Sequence, residues 1–261
     1  MNPALWVAKT GLDAQQTRLQ VVSNNLANAS TTGFKKGRAV FEDLIYQNIR
    51  QPGAQATQDS TLPSGLMLGT GVKISASQQV HVQGNIINTE NSLDLAIQGD
   101  GFFQITRPNG DIAYTRDGSF QVDEQGRIVT SDGMLLEPQI TLPQQTLSVT
   151  IGFDGTVSAL EPGNAAPTQV GTITTASFVN PAGLMAIGSN QFLESVASGA
   201  PTTGNPGEDN RGGLLQGSLE SSNVNTVEEL VNLIETQRTF EMNSKSLSTA
   251  DQMLQYITQN V

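Results

Sequence analysis

Cysteine is absent from the 261-residue chain, histidine and tryptophan occur once each, and tyrosine occurs three times. The lack of cysteine excludes disulfides, thiolate catalysis and Cys-ligated metal. The one histidine, His81 in Gln79-Val80-His81-Val82-Gln83, has no second histidine with which to build a metal pair or a triad, and it reads as an ordinary strand residue. No run approaches the roughly 20 apolar residues of a membrane-spanning helix. The start, Met1-Asn2-Pro3-Ala4-Leu5, lacks the basic-then-apolar order of a secretory signal, so no cleaved signal peptide is expected. Basic residues are scarce as well. A net charge of -11 argues against a nucleic-acid-binding surface, which needs clustered Lys and Arg.

The few basic residues are unevenly placed. Residues 1-40 hold Lys9, Arg18, Lys35, Lys36 and Arg38 against Asp13 alone, whereas residues 221-261 hold five acids against Arg238 and Lys245. The two ends are therefore complementary in sign, and the middle, residues 41-220, is strongly acidic, as suits a solvated outer domain. Proline and glycine, which punctuate helices and strands, are also missing selectively: Pro from 4-51 and 207-261, Gly from 218-261. Both ends are free to form long helices.

In the first, Asn2 is placed to cap the helix with Pro3 at its first position, where a missing N-H costs nothing. Leu5, Leu12, Leu19 and Leu26 then recur every seven residues, with Ala8, Val22 and Ala29 beside them. That stripe is narrower than a globular amphipathic face and resembles a coiled-coil seam. The last segment opens on Thr226-Val227-Glu228-Glu229, which reads as a capping box. Leu233, Phe240, Leu247, Leu254 and Val261 again recur every seven residues, joined by Ala250 and Ile257, and Gln237, Asn243 and Ser244 interrupt the seam. The two stripes suit an intramolecular pair and packing against copies of the chain equally well.

Between the helices the pattern changes to period two, as in Leu93-Leu95-Ile97 and Leu147-Val149-Ile151. Turn signals fall at Asn109-Gly110, Asp117-Gly118, Gln125-Gly126, Asp132-Gly133 and Asp154-Gly155, the first four spaced for a meander. Residues 51-71 and 197-213, rich in small and polar residues, read as extended loops or linkers. The expected class is α+β: a β-rich central domain with long N- and C-terminal α-helices that pack as a coiled-coil-like inner layer. Its divisions are 1-40 (helix and signature), 41-72 (extended segment), 73-217 (β-rich outer domain) and 218-261 (helix).

Enzymatic chemistry has little to stand on. Gly99-Asp100-Gly101 begins like a dinucleotide loop but lacks the third glycine and the helix, since Phe102-Phe103-Gln104-Ile105 reads as strand; a tight turn explains it. The acidic turns around Asp117, Asp123-Glu124 and Asp132 fit no calcium loop, and hairpin chemistry accounts for them better than a glycosidase carboxylate pair does. Trp6 and the methionines read as packing residues. No catalytic residue, cofactor, metal or small-molecule substrate is expected.

The run Asn24-Asn25-Leu26-Ala27-Asn28-Ala29-Ser30-Thr31-Thr32-Gly33-Phe34-Lys35 resembles the N-terminal signature of flagellar rod and hook proteins. The run Leu219 to Asn225, with Asn223 and Asn225, followed by Gln237-Arg238, Phe240-Glu241, Asn243 and Lys245, is similar to the family's C-terminal signature. Leu5 to Leu12, Arg50 to Gln55, Leu62 to Gly65, Gly69 to Val72 and Tyr114 to Phe120 resemble its distal-rod branch in particular; hook and proximal-rod members are the alternatives within the family, and a secreted β-rich fibre or adhesin outside it. The resemblance implies a structural, non-enzymatic subunit of the basal body, with the terminal helices lining an inner tube through Leu5, Leu12, Leu19, Val22, Leu26, Leu233, Phe240, Leu247, Leu254 and Ile257. It implies a rod-stiffening segment containing Gln51, Pro52, Gly53, Leu62, Pro63 and Gly65. It also implies export by the flagellar type III apparatus, a rod spanning the periplasm, and as partners copies of the chain, proximal rod proteins, hook or hook-junction subunits, and the P and L rings.

Overall fold

A computed structural model describes residues 3–52, 55–57, 60–61, 64–163 and 166–259. Two compact units form, and each is discontinuous in sequence: residues 1–27, 37–78 and 225–261 make one, residues 28–36 and 79–224 the other.

The first unit holds two helices, α1 (Pro3–Ala27) and α2 (Thr226–Gln259). α1 begins at Pro3 as expected, and Asn2 lies outside the described residues. α2 runs 34 residues, about 50 Å at ~1.5 Å per residue. Its cap differs from the sequence expectation. Asn225 Oδ1 accepts from the backbone N–H groups of Val227 and Glu228 at 3.1 and 3.4 Å, so Asn225 rather than Thr226 is the N-cap. The predicted box fails because Glu229 is engaged elsewhere: its carboxylate accepts from Asn25 Nδ2 at 3.3 Å.

The helices pack along one another. Asn25 meets Glu229, Arg18 pairs with Glu235 at 3.5 Å, and Gly11 lies against Asn243, whose Nδ2 would stand 3.2 Å from an added Cβ. As one number falls the other rises, so the pair is antiparallel, and its contacts recur about every seven residues. Chain 37–78 joins the unit as paired strands. Gly37–Asp43 pairs with Val72–Gln79, and Tyr46–Arg50 pairs antiparallel with Leu66–Gly69. Residues 51-71 were expected as loop, yet Gln55–Thr57 and Ser60–Thr61 also pair there. Tyr46–Arg50 and Leu66–Gly69 are exposed on both faces, so no buried side imposes the alternation by which a strand is read.

The second unit is built on a sheet in the order Phe120–Val122, Ile128–Thr130, Leu135–Glu137, Phe102–Thr106, Ile112–Thr115, Gln191–Leu193, Met185–Gly188. Thr175–Ser177 pairs with Phe102–Thr106 and with Thr202–Gly204, which places a strand inside the 197-213 stretch expected as loop. Ser148–Ile151, Thr156–Leu160 and Thr168–Thr172 form a second sheet. Asn109-Gly110, Gln125-Gly126, Asp132-Gly133 and Asp154-Gly155 turn hairpins, each with its glycine at positive φ. Asp117-Gly118 does not. Gly118 presses on Leu95, which donates its N–H to the Gly118 carbonyl at 3.0 Å, and the close approach leaves no room for a Cβ. Gly99-Asp100-Gly101 links Leu95–Gln98 to Phe102–Thr106 as a bend with both glycines at positive φ, and Asp100 forms a β-bridge with Arg211 in place of the expected tight turn. The core gathers Phe103, Phe120, Leu136, Val157 and Ile173, with Phe103 and Phe120 edge to face at 5.1 Å.

Candidate functional site

The N-terminal signature divides between the units. In the first, Asn25 sits buried near the end of α1 and closes a two-way bond with the backbone of Gly37, donating Nδ2 to its carbonyl at 2.9 Å and accepting its N–H at 2.8 Å. Asn24, one residue earlier, is exposed. An asparagine serves here because one amide supplies both a donor and an acceptor.

Residues 28–36 follow α1 in the chain and fold into the second unit as a set of turns. Thr31 donates its N–H to the Asn28 carbonyl and Phe34 its N–H to that of Thr31. Gly33 is required by its backbone: φ is +69°, and a Cβ would stand 2.7 Å from the Asp117 nitrogen. Two residues on, Lys35 is wholly buried. Its Nζ donates to Glu220 Oε1 at 2.6 Å and to the Val82 carbonyl at 2.9 Å. Glu220 Oε1 also accepts the Gly84 N–H at 2.8 Å, Oε2 accepts Arg116 at 3.2 Å, and the Glu220 carbonyl accepts the Gly33 N–H at 2.8 Å. Arg116 in turn donates to the Gly99 carbonyl at 2.8 Å. Burial lowers the pKa of both Lys35 and Arg116, and the facing Glu220 carboxylate opposes that fall.

The C-terminal signature completes this clasp. Asn223 Oδ1 accepts the Lys36 N–H at 2.7 Å while Nδ2 donates to the carbonyls of Val80 and Val82 at 2.8 and 3.0 Å. The segment before α2 is thereby tied to the segment after α1 by hydrogen bonds that leave little of Asn223 unused. Two later signature residues, Gln237 and Arg238, are exposed on α2, and Asn243 is half-buried beside Gly11. Lys35, Arg116 and Glu220 lie within the family-like runs of the sequence, but no local period tells a buried charge from a solvated one.

Of the seam residues, Val22 is buried, Leu5, Leu12, Leu19, Leu26, Leu233, Leu247 and Leu254 are half-buried, and Phe240 is 42% exposed. The side chain of Ile257 lies outside the described residues. On α2 the deepest side chains are polar, Glu229 and Thr236. A second apolar face, Val227, Leu230, Val231 and Ile234, is open to solvent. In the segment expected to stiffen a rod, Gln51 and Pro52 are exposed, and Gly65 lies so close to Arg50 and Pro52 that a Cβ would stand 2.5 Å from the Arg50 carbonyl oxygen. Gly53, Leu62 and Pro63 lie outside the described residues. His81 is not in a strand: it follows Val72–Gln79 in irregular backbone and packs on Phe102 and Phe192.

Three family models match this organisation. Residues 5–35 match the flagella basal body rod protein model, residues 96–159 the flagellar hook protein FlgE/F/G D1 domain, and residues 215–260 the flagellar basal body rod FlgEFG protein C-terminal model. A flagellar basal-body rod protein FlgG from Buchnera aphidicola subsp. Acyrthosiphon pisum is 51% identical over 99% of this chain and 100% of its own length. The chain belongs to the flagellar basal-body rod protein family. FlgG proteins from Caulobacter vibrioides and Bacillus subtilis are 48% and 38% identical, the first over 98% of both chains, the second over 98% of this chain and 97% of its own. Membership makes the chain a structural rod subunit and not an enzyme, and the clasp is accordingly a structural site. Among the described residues no cluster of metal-ligating side chains occurs, and no helix is long and apolar enough to cross a membrane.

Proposed function

We propose that this subunit polymerises into the distal rod, a stiff hollow shaft that carries torque from motor to hook. The observation that carries the reading is the doubled apolar character of α2. One face lies toward α1, and a second, Val227, Leu230, Val231 and Ile234, stays 46–68% exposed among the described residues. Each such side chain gains about 1.5–3 kcal/mol on full burial, so neighbouring copies that cover this face recover several kcal/mol per subunit. Half-covered leucines along both helices offer a separate apolar stripe, with a coiled-coil-like seam completed between copies. The division into 1-40, 41-72, 73-217 and 218-261 then separates an inner helical layer from a β-rich exterior.

The exposed paired strands of 41-72 brace neighbouring subunits and resist the sliding by which a tube bends. Proximal rod proteins, hook or hook-junction subunits and the P and L rings are the neighbours this position implies, in a rod that spans the periplasm and is exported by the type III apparatus without a cleaved signal. Electron microscopy of basal bodies tests the reading. A strain lacking the protein should keep the proximal rod and lose the distal part; an intact distal rod overturns the proposal. Deletion of 46-72 should leave rods that assemble but bend.

A further inference from the structure

His81 lies outside the surfaces proposed for assembly, and its ring packs on two aromatic side chains. The imidazole stands edge-on to Phe102 at 5.6 Å and to Phe192 at 5.4 Å, on the wall of a cavity of about 310 Å³ also lined by Asp100, Arg116, Phe178 and Asp209. Its Nδ1 is buried and has no hydrogen-bond partner. Both ring nitrogens of an imidazolium are donors, so protonation would leave an N–H there without an acceptor. The charges nearby compound the cost. Lys35 and Arg116 both repel an imidazolium, and the carboxylate between them, Glu220, already serves both cations. Asp100 and Asp209 line the cavity, and Asp209 pairs with Arg211 at 3.0 Å.

The neighbours of His81 in the chain give this consequence. The carbonyls of Val80 and Val82, one residue to either side, are the acceptors that hold Asn223 and Lys35, the Val80 N–H is donated to the Lys36 carbonyl, and the Gly84 N–H is held by Glu220. We propose that His81 is an acid-sensitive latch: seated neutral against Phe102 and Phe192 it keeps residues 80–84 against both terminal signature segments, and on protonation it leaves that contact and loosens the hold. Burial first, then the charges of Lys35 and Arg116, bring its pKa down to about 4. A histidine whose folded pKa lies below its unfolded value of about 6.5 stabilises fully above pH ~6.5, loses that contribution as the pH falls toward about 4, and changes nothing further below it.

Because the chain has one histidine, its ring Cε1–H resonance is unambiguous. In the full chain as dilute monomer, that resonance should titrate near pH 4 instead of near 6.5. Hydrogen exchange at the Val80, Lys36 and Gly84 amides, corrected for intrinsic rates, should lose on the order of a hundredfold protection between pH 7 and pH 4 relative to His81→Phe. A titration near 6.5, or equal loss in both proteins, overturns the latch. If phenylalanine does not fit there, His81→Met serves as the non-titrating comparison, and the wild-type titration stands by itself.

Discussion

The two units spend their apolar residues differently. In the β-rich unit a set of large side chains turns inward: Phe103, Leu136, Val157 and Ile173 are fully buried, and even the charges of Lys35, Arg116 and Glu220 are enclosed and matched, although Leu147, Phe153, Val179 and Val196 stay exposed. In the helical unit the buried positions on α1 and α2 are small or polar, namely Ala14, Val22, Asn25, Glu229 and Thr236, while Val227, Val231, Ile234, Met242, Met253 and Tyr256 face solvent. A long antiparallel pair can bury only one stripe of each helix, so apolar residues beyond that stripe have no use within one chain. The β-rich unit has a dry core of large side chains, and the helices leave most of theirs exposed.

The strongest way to break that contrast is to spoil the β-rich unit from within. Glu220→Ala leaves Lys35 and Arg116 enclosed without their counter-charge, and removal of one partner of a buried ion pair costs about 3–5 kcal/mol. Urea denaturation of the monomer should show a loss in that range; a loss under about 1 kcal/mol would mean that water reaches the clasp. Gly33→Ala comes next. The left-handed backbone at φ +69° costs an L residue roughly 1–2 kcal/mol, and the contact with Asp117 adds to it. The same denaturation measurement should place it at about 2 kcal/mol or more.

How far the sequence carried the fold depends on whether a feature is local. Missing Pro at both ends, missing Gly at the second, and the seven-residue spacing of Leu12, Leu19 and Leu26 in one and of Leu233, Phe240 and Leu247 in the other located the helices, because helical periodicity is written in consecutive turns. The hairpin glycines Gly110, Gly126, Gly133 and Gly155 were legible for the same reason, each marking a backbone that needs positive φ. The clasp was not legible. Lys35, Arg116 and Glu220 are separated by scores of residues, and nothing within a window around any of them distinguishes a buried cation from a surface one. The strands of 46–50 and 66–69 were missed because they have no dry face, and the capping box was misplaced by one residue because Asn225 and Thr226 both suit an N-cap and only the distant partner of Glu229 decides between them.

That last ambiguity gives a smaller prediction, on the helical side. Asn225→Ala removes the acceptor for two N–H groups of α2 and should cost about 1 kcal/mol, whereas Thr226→Ala should cost no more than a few tenths. Thermal unfolding of the two variants side by side checks the assignment, and the reverse order would restore the capping box.

The smallest effect on the monomer tests the comparison most sharply. Val231 and Ile234 are 60% and 50% exposed on α2, so replacing both with serine removes no enclosed contact and should move monomer stability by no more than about 0.5 kcal/mol per site. If the helical unit is a surface awaiting other copies, the same double variant should nonetheless fail to polymerise, and sedimentation of wild type and variant at matched concentration would show it. A core substitution does the opposite, lowering stability first and assembly only through unfolding. Should Val231→Ser with Ile234→Ser polymerise normally, the uncovered face of α2 is not the one that copies share, and the half-buried leucines of the seam become the surface to test.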